Sequence, residues 1–226
     1  QQLIVPANYE STRKFYATDE ELIQDIGTAY QNVIKQFYDA GCRNLQLDDC
    51  TWGAIVGDAA KLRYKSLGID LDEVKSKLLA VNNLALEGKP EDMVITSHIC
   101  RGNYHSTFFA SGAYDSVADY VFAKENVDAL FLEYDDERSG GFAPLAKVSG
   151  DKKIVLGLIT TKSPVLEDKK AVIKRIHEAA KYVPLDRLCL SPQCGFASCE
   201  IGNKLTEEEQ WAKLKLVKEI AEEVWG

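Results

Sequence analysis

Apolar positions along this 226-residue chain follow two rhythms that alternate. Short apolar runs with a period of two read as strands: Leu3–Ala7, Leu45–Asp49, Met93–Cys100, Ala129–Glu133, Lys153–Leu158, and a run from Leu188 that ends at Cys194. Between them the spacing lengthens to that of helices. Thr18-Asp-Glu-Glu21 is a capping box, and Leu22, Ile26, Ala29, Val33, Ile34 and Phe37 then recur with helical spacing as far as Gly41. Asp70–Glu87, Tyr114–Lys124 and Leu166–Tyr182 read as further helices, with a short one around Ala143–Ala146. A second capping box, Thr206 to Glu209, opens a last helix whose apolar stripe is Trp211, Leu214, Val217, Ala221 and Val224.

Strands alternating with helices predict a parallel sheet. Several strands end in polar residues able to do chemistry, which is how a (β/α)8 TIM-type barrel presents its site, at the C-terminal face. A doubly wound open sheet is the alternative, but no glycine-rich phosphate loop follows any strand. A full barrel needs roughly two strands more than the six in view. The chain opens Gln1-Gln2-Leu3 with no initiator Met, so the expectation for 1–226 is the C-terminal portion of a single barrel domain, its first strands lying upstream.

The strand at 93–100 carries the most chemistry. Val94, Thr96, His98 and Cys100 fall on one face and Ile95 and Ile99 on the other, so an imidazole and a thiol are neighbours at its C-terminal end. Glu133 ends the next strand, and Cys194 lies on a glycine-containing turn after the last. His98, Cys100, Glu133 and Cys194 are donor types that suit zinc, brought from three strand ends. On the earlier strand Leu45 and Leu47 face the outer helices and Asp48 points inward at the rim; the plainer reading of Asp48 is a turn residue or helix cap.

Composition narrows the function. The chain has 27 basic and 35 acidic residues and no basic run interleaved with aromatics, which argues against a nucleic-acid partner. No apolar run approaches a membrane span, and nothing resembles a signal peptide. The six cysteines are irregularly spaced, so free or metal-bound thiols in a reducing cytoplasm are expected rather than disulfides. Cys42, Cys50 and Cys189 read as core thiols or supports of the ligands, His105 as a loop residue and His177 as exposed on a helix. The run Asp135-Asp136-Glu137-Arg138 reads as a solvated loop close to Glu133, and Cys199 has no assigned role.

Leu47-Asp48-Asp49, His98-Ile-Cys100, Leu132-Glu133, Gly157-Leu-Ile-Thr-Thr-Lys-Ser-Pro164 and Ser191-Pro-Gln-Cys194-Gly195 occur in that order along the whole chain. In this the sequence resembles the C-terminal catalytic domain of cobalamin-independent methionine synthase, in its shorter bacterial forms. The resemblance implies a methyltransferase that converts homocysteine to methionine, with 5-methyltetrahydrofolate (polyglutamate) as donor. It implies Zn²⁺ on His98, Cys100, Glu133 and Cys194, and Asp48 on the homocysteine ammonium. Two features depart from the family. Lys162 stands where the synthases carry a proton-donating histidine, and no tryptophan near Glu10 matches the one that seats the folate ring. Those departures bear on the methyl donor. A corrinoid-linked methyltransferase acting on another thiol, or a barrel with a purely structural zinc, are the alternative readings.

Overall fold

A computed structural model of the chain describes Ile4 and residues 9–226. After a short first helix, α1 (Tyr9–Thr12), the Thr18 capping box forms as expected: Thr18 Oγ1 accepts from the Glu21 amide at 3.2 Å and Glu21 Oε2 accepts from the Thr18 amide at 3.4 Å. It starts α2 (Asp19–Asp39), which ends as Gly41 takes φ +97°, open to glycine without strain. β1 (Asn44–Asp48) follows, then α3 (Cys50–Ala54), α4 (Asp58–Ser66) and α5 (Leu71–Leu86). β2 (Val94–Ile99) leads through a long loop to two short helices, α6 (Asp115–Ala118) and α7 (Val121–Lys124). β3 (Ala129–Glu133), β4 (Lys153–Ile159), α8 (Lys169–Ala179), β5 (Leu188–Pro192) and α9 (Glu207–Trp225) complete the order.

The five strands form one wholly parallel sheet in strict chain order, β1-β2-β3-β4-β5. A doubly wound sheet reverses its order at a switch point. A sheet that never reverses, with helices between its strands, is an arc of a (β/α)8 barrel. The sixth expected strand, Leu3–Ala7, lies outside the described residues except for Ile4. The core fills the space between sheet and helices: Ile95, Ile99, Leu130, Leu132, Ile154 and Leu156 meet Leu78, Phe122, Ile176 and Ile220 there. The alternate positions face the inside of the arc, where His98 pairs in register with Asp48 and Glu133 with Gly157. No described helix is long and apolar enough to cross a membrane.

Five expectations change. The single helix over Tyr114–Lys124 is two turns, broken around Asp119 and Tyr120. The short helix near Ala143 is a 3₁₀ turn, Ala143–Lys147. α3 and α4, too short or too polar to show an apolar period, were not anticipated. On α9 the buried residues are Lys213, Leu216 and Ile220, and Trp211 is 59% exposed. Val217 and Val224 of the expected stripe do pack against the core, but its centre is shifted, and Lys213 turns inward to an ion pair: its Nζ donates to Glu167 Oε1 at 3.0 Å and to the Val165 carbonyl at 2.6 Å. Val33 and Phe37 of α2 are likewise exposed, while Leu22 and Ile34 hold its buried side.

Candidate metal centre

The ends of β2, β3 and β5 converge. His98 is the fifth residue of β2 and Cys100 follows its end; Glu133 is the last residue of β3; Cys194 sits two residues past β5. Gly157 permits the approach, since a Cβ there would lie 2.7 Å from Gln193 Cα and 2.9 Å from the Leu132 carbonyl oxygen. One donor atom from each of His98, Cys100, Glu133 and Cys194 lies within 4.8 Å of all the others.

Glu133 and Cys100 are oriented from outside the cluster. The Glu133 carboxylate is fully buried; its Oε1 accepts from the Arg101 amide at 2.9 Å and its Oε2 from Arg138 Nη2 at 2.8 Å. His98 Nε2 stands 3.8 Å from Glu133 Oε1 and is buried with no hydrogen-bond partner among the described residues. Cys100 Sγ accepts from the Gly102 amide at 3.4 Å.

The charges are held at a cost. At His98 burial works against the imidazolium, but the Cys194 sulfur, Glu133 and Asp48 outweigh it and raise the pKa. At Cys100 a hydrogen bond from Cys194 favours the thiolate, yet hydrogen bonding to Cys50 and burial push the thiol up to about 12. Cys194, half-buried and facing Cys100, is also pushed up to about 12, against the pull of His98. A crowded set of two thiols, an imidazole with an orphaned nitrogen and a buried carboxylate fits a divalent cation of zinc's type, which relieves the mutual repulsion and takes up the free nitrogen.

Asp48 lies at the exposed end of β1, with a carboxylate oxygen, Cys50 Sγ and Cys100 Sγ all within 4.8 Å of one another. The helix cap is its neighbour: Asp49 Oδ1 accepts from the Thr51 amide at 3.0 Å at the start of α3. Lys162 Nζ is buried with no hydrogen-bond partner among the described residues. Burial lowers the pKa of its ammonium, with Glu133 and Asp135 pulling the other way. Sequence reasoning thus placed Asp48 and Lys162 beside the four donors.

The run after Glu133 is solvated only in part: Asp136 and Glu137 are exposed, but the Arg138 side chain is 5% exposed and pairs with Glu133, Asp135 and Asp136. A lone Arg behind three acids was the available signal. Cys50 was read as a core or supporting thiol. It is exposed, beside Cys100, whose hydrogen bond lowers its pKa. Cys42 and Cys189 are half-buried, and Cys199 and His177 are exposed. Trp52 is fully buried in the core, its ring 6.4 Å from that of Tyr120. His105, at φ +47°, stays in the loop.

Comparison with known proteins gives three findings. The family model described as "Cobalamin-independent synthase, Catalytic domain" matches residues 11–223. The chain is 50% identical over 212 residues to "Uncharacterized protein YxjG" of Bacillus subtilis, covering 93% of this chain and 56% of that protein. Among solved structures, the "Putative Vitamin-B12 Independent Methionine Synthase from Listeria monocytogenes" superposes with TM-score 0.74 at 43% identity, over 100% of this chain and 58% of the other. A B12-independent methionine synthase from Shewanella sp. W3-18-1, in complex with selenomethionine, gives TM-score 0.69 at 22% identity over 93% of this chain and 56% of the other, a likeness of fold. The chain thus spans a little over half the length of these proteins.

Proposed function

The chain belongs to the family of cobalamin-independent synthase catalytic domains, and from that premise we propose that it transfers a methyl group to the thiol of homocysteine, giving methionine, with 5-methyltetrahydrofolate as donor. The observation that carries the reading is the convergence of four zinc-type donors within 4.8 Å at the C-terminal ends of parallel strands.

In this reading His98, Cys100, Glu133 and Cys194 hold Zn²⁺. The ion, when bound, favours the thiolate form of a substrate thiol at neutral pH. Asp48, exposed at the rim beside Cys100, pairs with the homocysteine ammonium and orients the sulfur. Arg138 and the Arg101 amide hold Glu133 from behind, so that Oε1 is the oxygen turned to His98. A carboxylate is the hardest of the four donors, so of the four Glu133 would hold such an ion least firmly.

The reaction forms a sulfur–carbon bond and breaks a carbon–nitrogen bond on the donor. The thiol proton is lost, and the departing nitrogen gains one. In this reading the proton comes from Lys162 Nζ, which is buried within electrostatic reach of Glu133 and Cys194. The test offers the protein zinc and homocysteine with methylfolate and methylcobalamin in turn. Methionine from methylfolate, abolished in Cys194→Ser, is expected; turnover with methylcobalamin alone would replace the donor assignment.

A further inference from the structure

Cys194 reaches the metal-binding cluster from the far side of the sheet. His98 and Cys100 belong to the β2 end, Cys194 follows β5, and β3 and β4 lie between. Two sulfurs that must both become thiolates repel each other, so their approach has to be enforced by groups outside the pair.

Those groups form a network of neutral side chains, buried at Asn103, Thr161 and Gln193 and reaching the surface at Ser198. Asn103, three residues after Cys100 and 7% exposed, donates through Nδ2 to the Gly195 carbonyl at 2.6 Å and to Ser198 Oγ at 2.8 Å. Its Oδ1 accepts from Asn203 Nδ2 at 2.8 Å, and that nitrogen also donates to the Thr161 carbonyl at 2.8 Å. Thr161 in turn donates from its amide, at 2.7 Å, and from Oγ1, at 2.9 Å, to Gln193 Oε1. Both neighbours of Cys194 are thereby fastened. Gln193 is tied through Thr161 to the end of β4, and Gly195 through Asn103 to the segment that carries Cys100. A second contact runs from Asn103 to Ser198, whose Oγ lies 3.8 Å from Cys194 Sγ.

We propose that Asn103 is the positioning residue that holds the Cys194 turn against the Cys100 segment and so presets the pair of metal-binding thiols. The proposal rests on the zinc reading above. With both its donors and its acceptor engaged, the buried amide pays little for leaving water and fixes one arrangement of the turn. An alanine at 103 removes both ties to the turn and leaves every sulfur and nitrogen donor in place. The ordering of the turn is then charged to metal binding, which weakens.

The experiment titrates the full chain with Cd²⁺, following the thiolate-to-cadmium absorption in competition with a chelator, for wild type, Asn103→Ala and Asn103→Asp. The expected result is an affinity lower by about 10- to 100-fold in Asn103→Ala, with the same absorption at saturation. The metal-free chain should also lose some stability with these hydrogen bonds while still unfolding cooperatively. Asn103→Asp sets an oxygen against the Gly195 carbonyl and should weaken binding further. Where Asn103→Ala does not fold, Asn203→Ala, which frees the Asn103 amide from behind, should give a smaller loss in the same direction. Wild-type affinity in a folded Asn103→Ala overturns the positioning role and leaves the metal reading intact. A wild-type chain that gives no thiolate-to-cadmium absorption overturns both.

Discussion

Arg138 Nη2 lies 2.8 Å from Glu133 Oε2, and the carboxylate it pairs with has no exposed surface. The same nitrogen lies 2.8 Å from Asp135 Oδ1, so one guanidinium serves two acids at the edge of the donor cluster. Glu133 is in effect balanced twice, by a permanent cation behind it and by whatever cation the cluster takes in front.

Arg138→Met tests that balance. Without metal, the substitution leaves a buried carboxylate supported only by the Arg101 amide, and stability should fall by about 3 kcal/mol. Bound zinc supplies a positive charge on the other side, so the loss should shrink when the same urea unfolding is repeated with metal. Equal losses with and without zinc would mean that Glu133 does not face the ion.

The sulfur donors separate from the remaining cysteines in a direct competition experiment. If structural zinc binding is worth about 12 kcal/mol over four donors, each supplies on the order of 3 kcal/mol, about a hundredfold in affinity. Cys100→Ser and Cys194→Ser should each weaken zinc by about that factor. Cys189→Ser and Cys199→Ser should leave it unchanged. A loss in Cys199→Ser would redraw the donor set.

The donor cluster was legible because it needs few facts: a period of two fixes which residues share a strand face, and parallel strands put their C-terminal ends together. His98, Cys100 and Glu133 follow from that alone. The supporting contacts were not legible. Asn103 and Asn203 meet across a hundred residues, and Arg138 folds back on Glu133 through a 3₁₀ turn, neither of which leaves a periodic trace. The α9 stripe was legible only in part, with Val217 and Val224 against the core but Trp211 exposed, since hydrophobicity cannot see that Glu167 awaits a lysine. Hence Lys213→Met, which removes a fully buried ion-pair partner, should cost about 2 kcal/mol, whereas Trp211→Ala should stay within about 0.5 kcal/mol. Thermal denaturation of the two variants decides between the two stripes.

Glu125 sets a pH dependence away from the donor cluster. It is 1% exposed, and its Oε1 shares the Asn82 amide with Asp49, at 2.9 and 3.0 Å. Burial, with the charge of Asp49 adding to it and the Asn82 hydrogen bond opposing, pushes its carboxyl up to about 8 from an ordinary 4.5. The folded chain therefore keeps a proton that the unfolded chain releases. Its contribution to stability is complete below about pH 4.5 and is lost as pH rises to about 8. Glu125→Gln, which resembles the protonated form, should remove that fall and exceed wild type by a few kcal/mol above pH 8. Parallel stability curves for the two proteins would place the carboxyl near its ordinary value.

Gly53 links the fold to the site through a space that no side chain can occupy. It lies in α3, and a Cβ there would overlap the Cys100 carbonyl oxygen, with the Cys100 carbonyl carbon only 3.0 Å away. The obstacle is backbone on both sides, so neither partner can swing clear as a flexible side chain would. Gly53→Ala must push α3 off the β2 end or push Cys100 out of its place beside Cys194. The first costs packing around Trp52, about 1–3 kcal/mol. The second also weakens metal binding. Measured together, unfolding of the metal-free chain and cadmium affinity tell which gives way; a variant unchanged in both would show that α3 does not press on the Cys100 backbone.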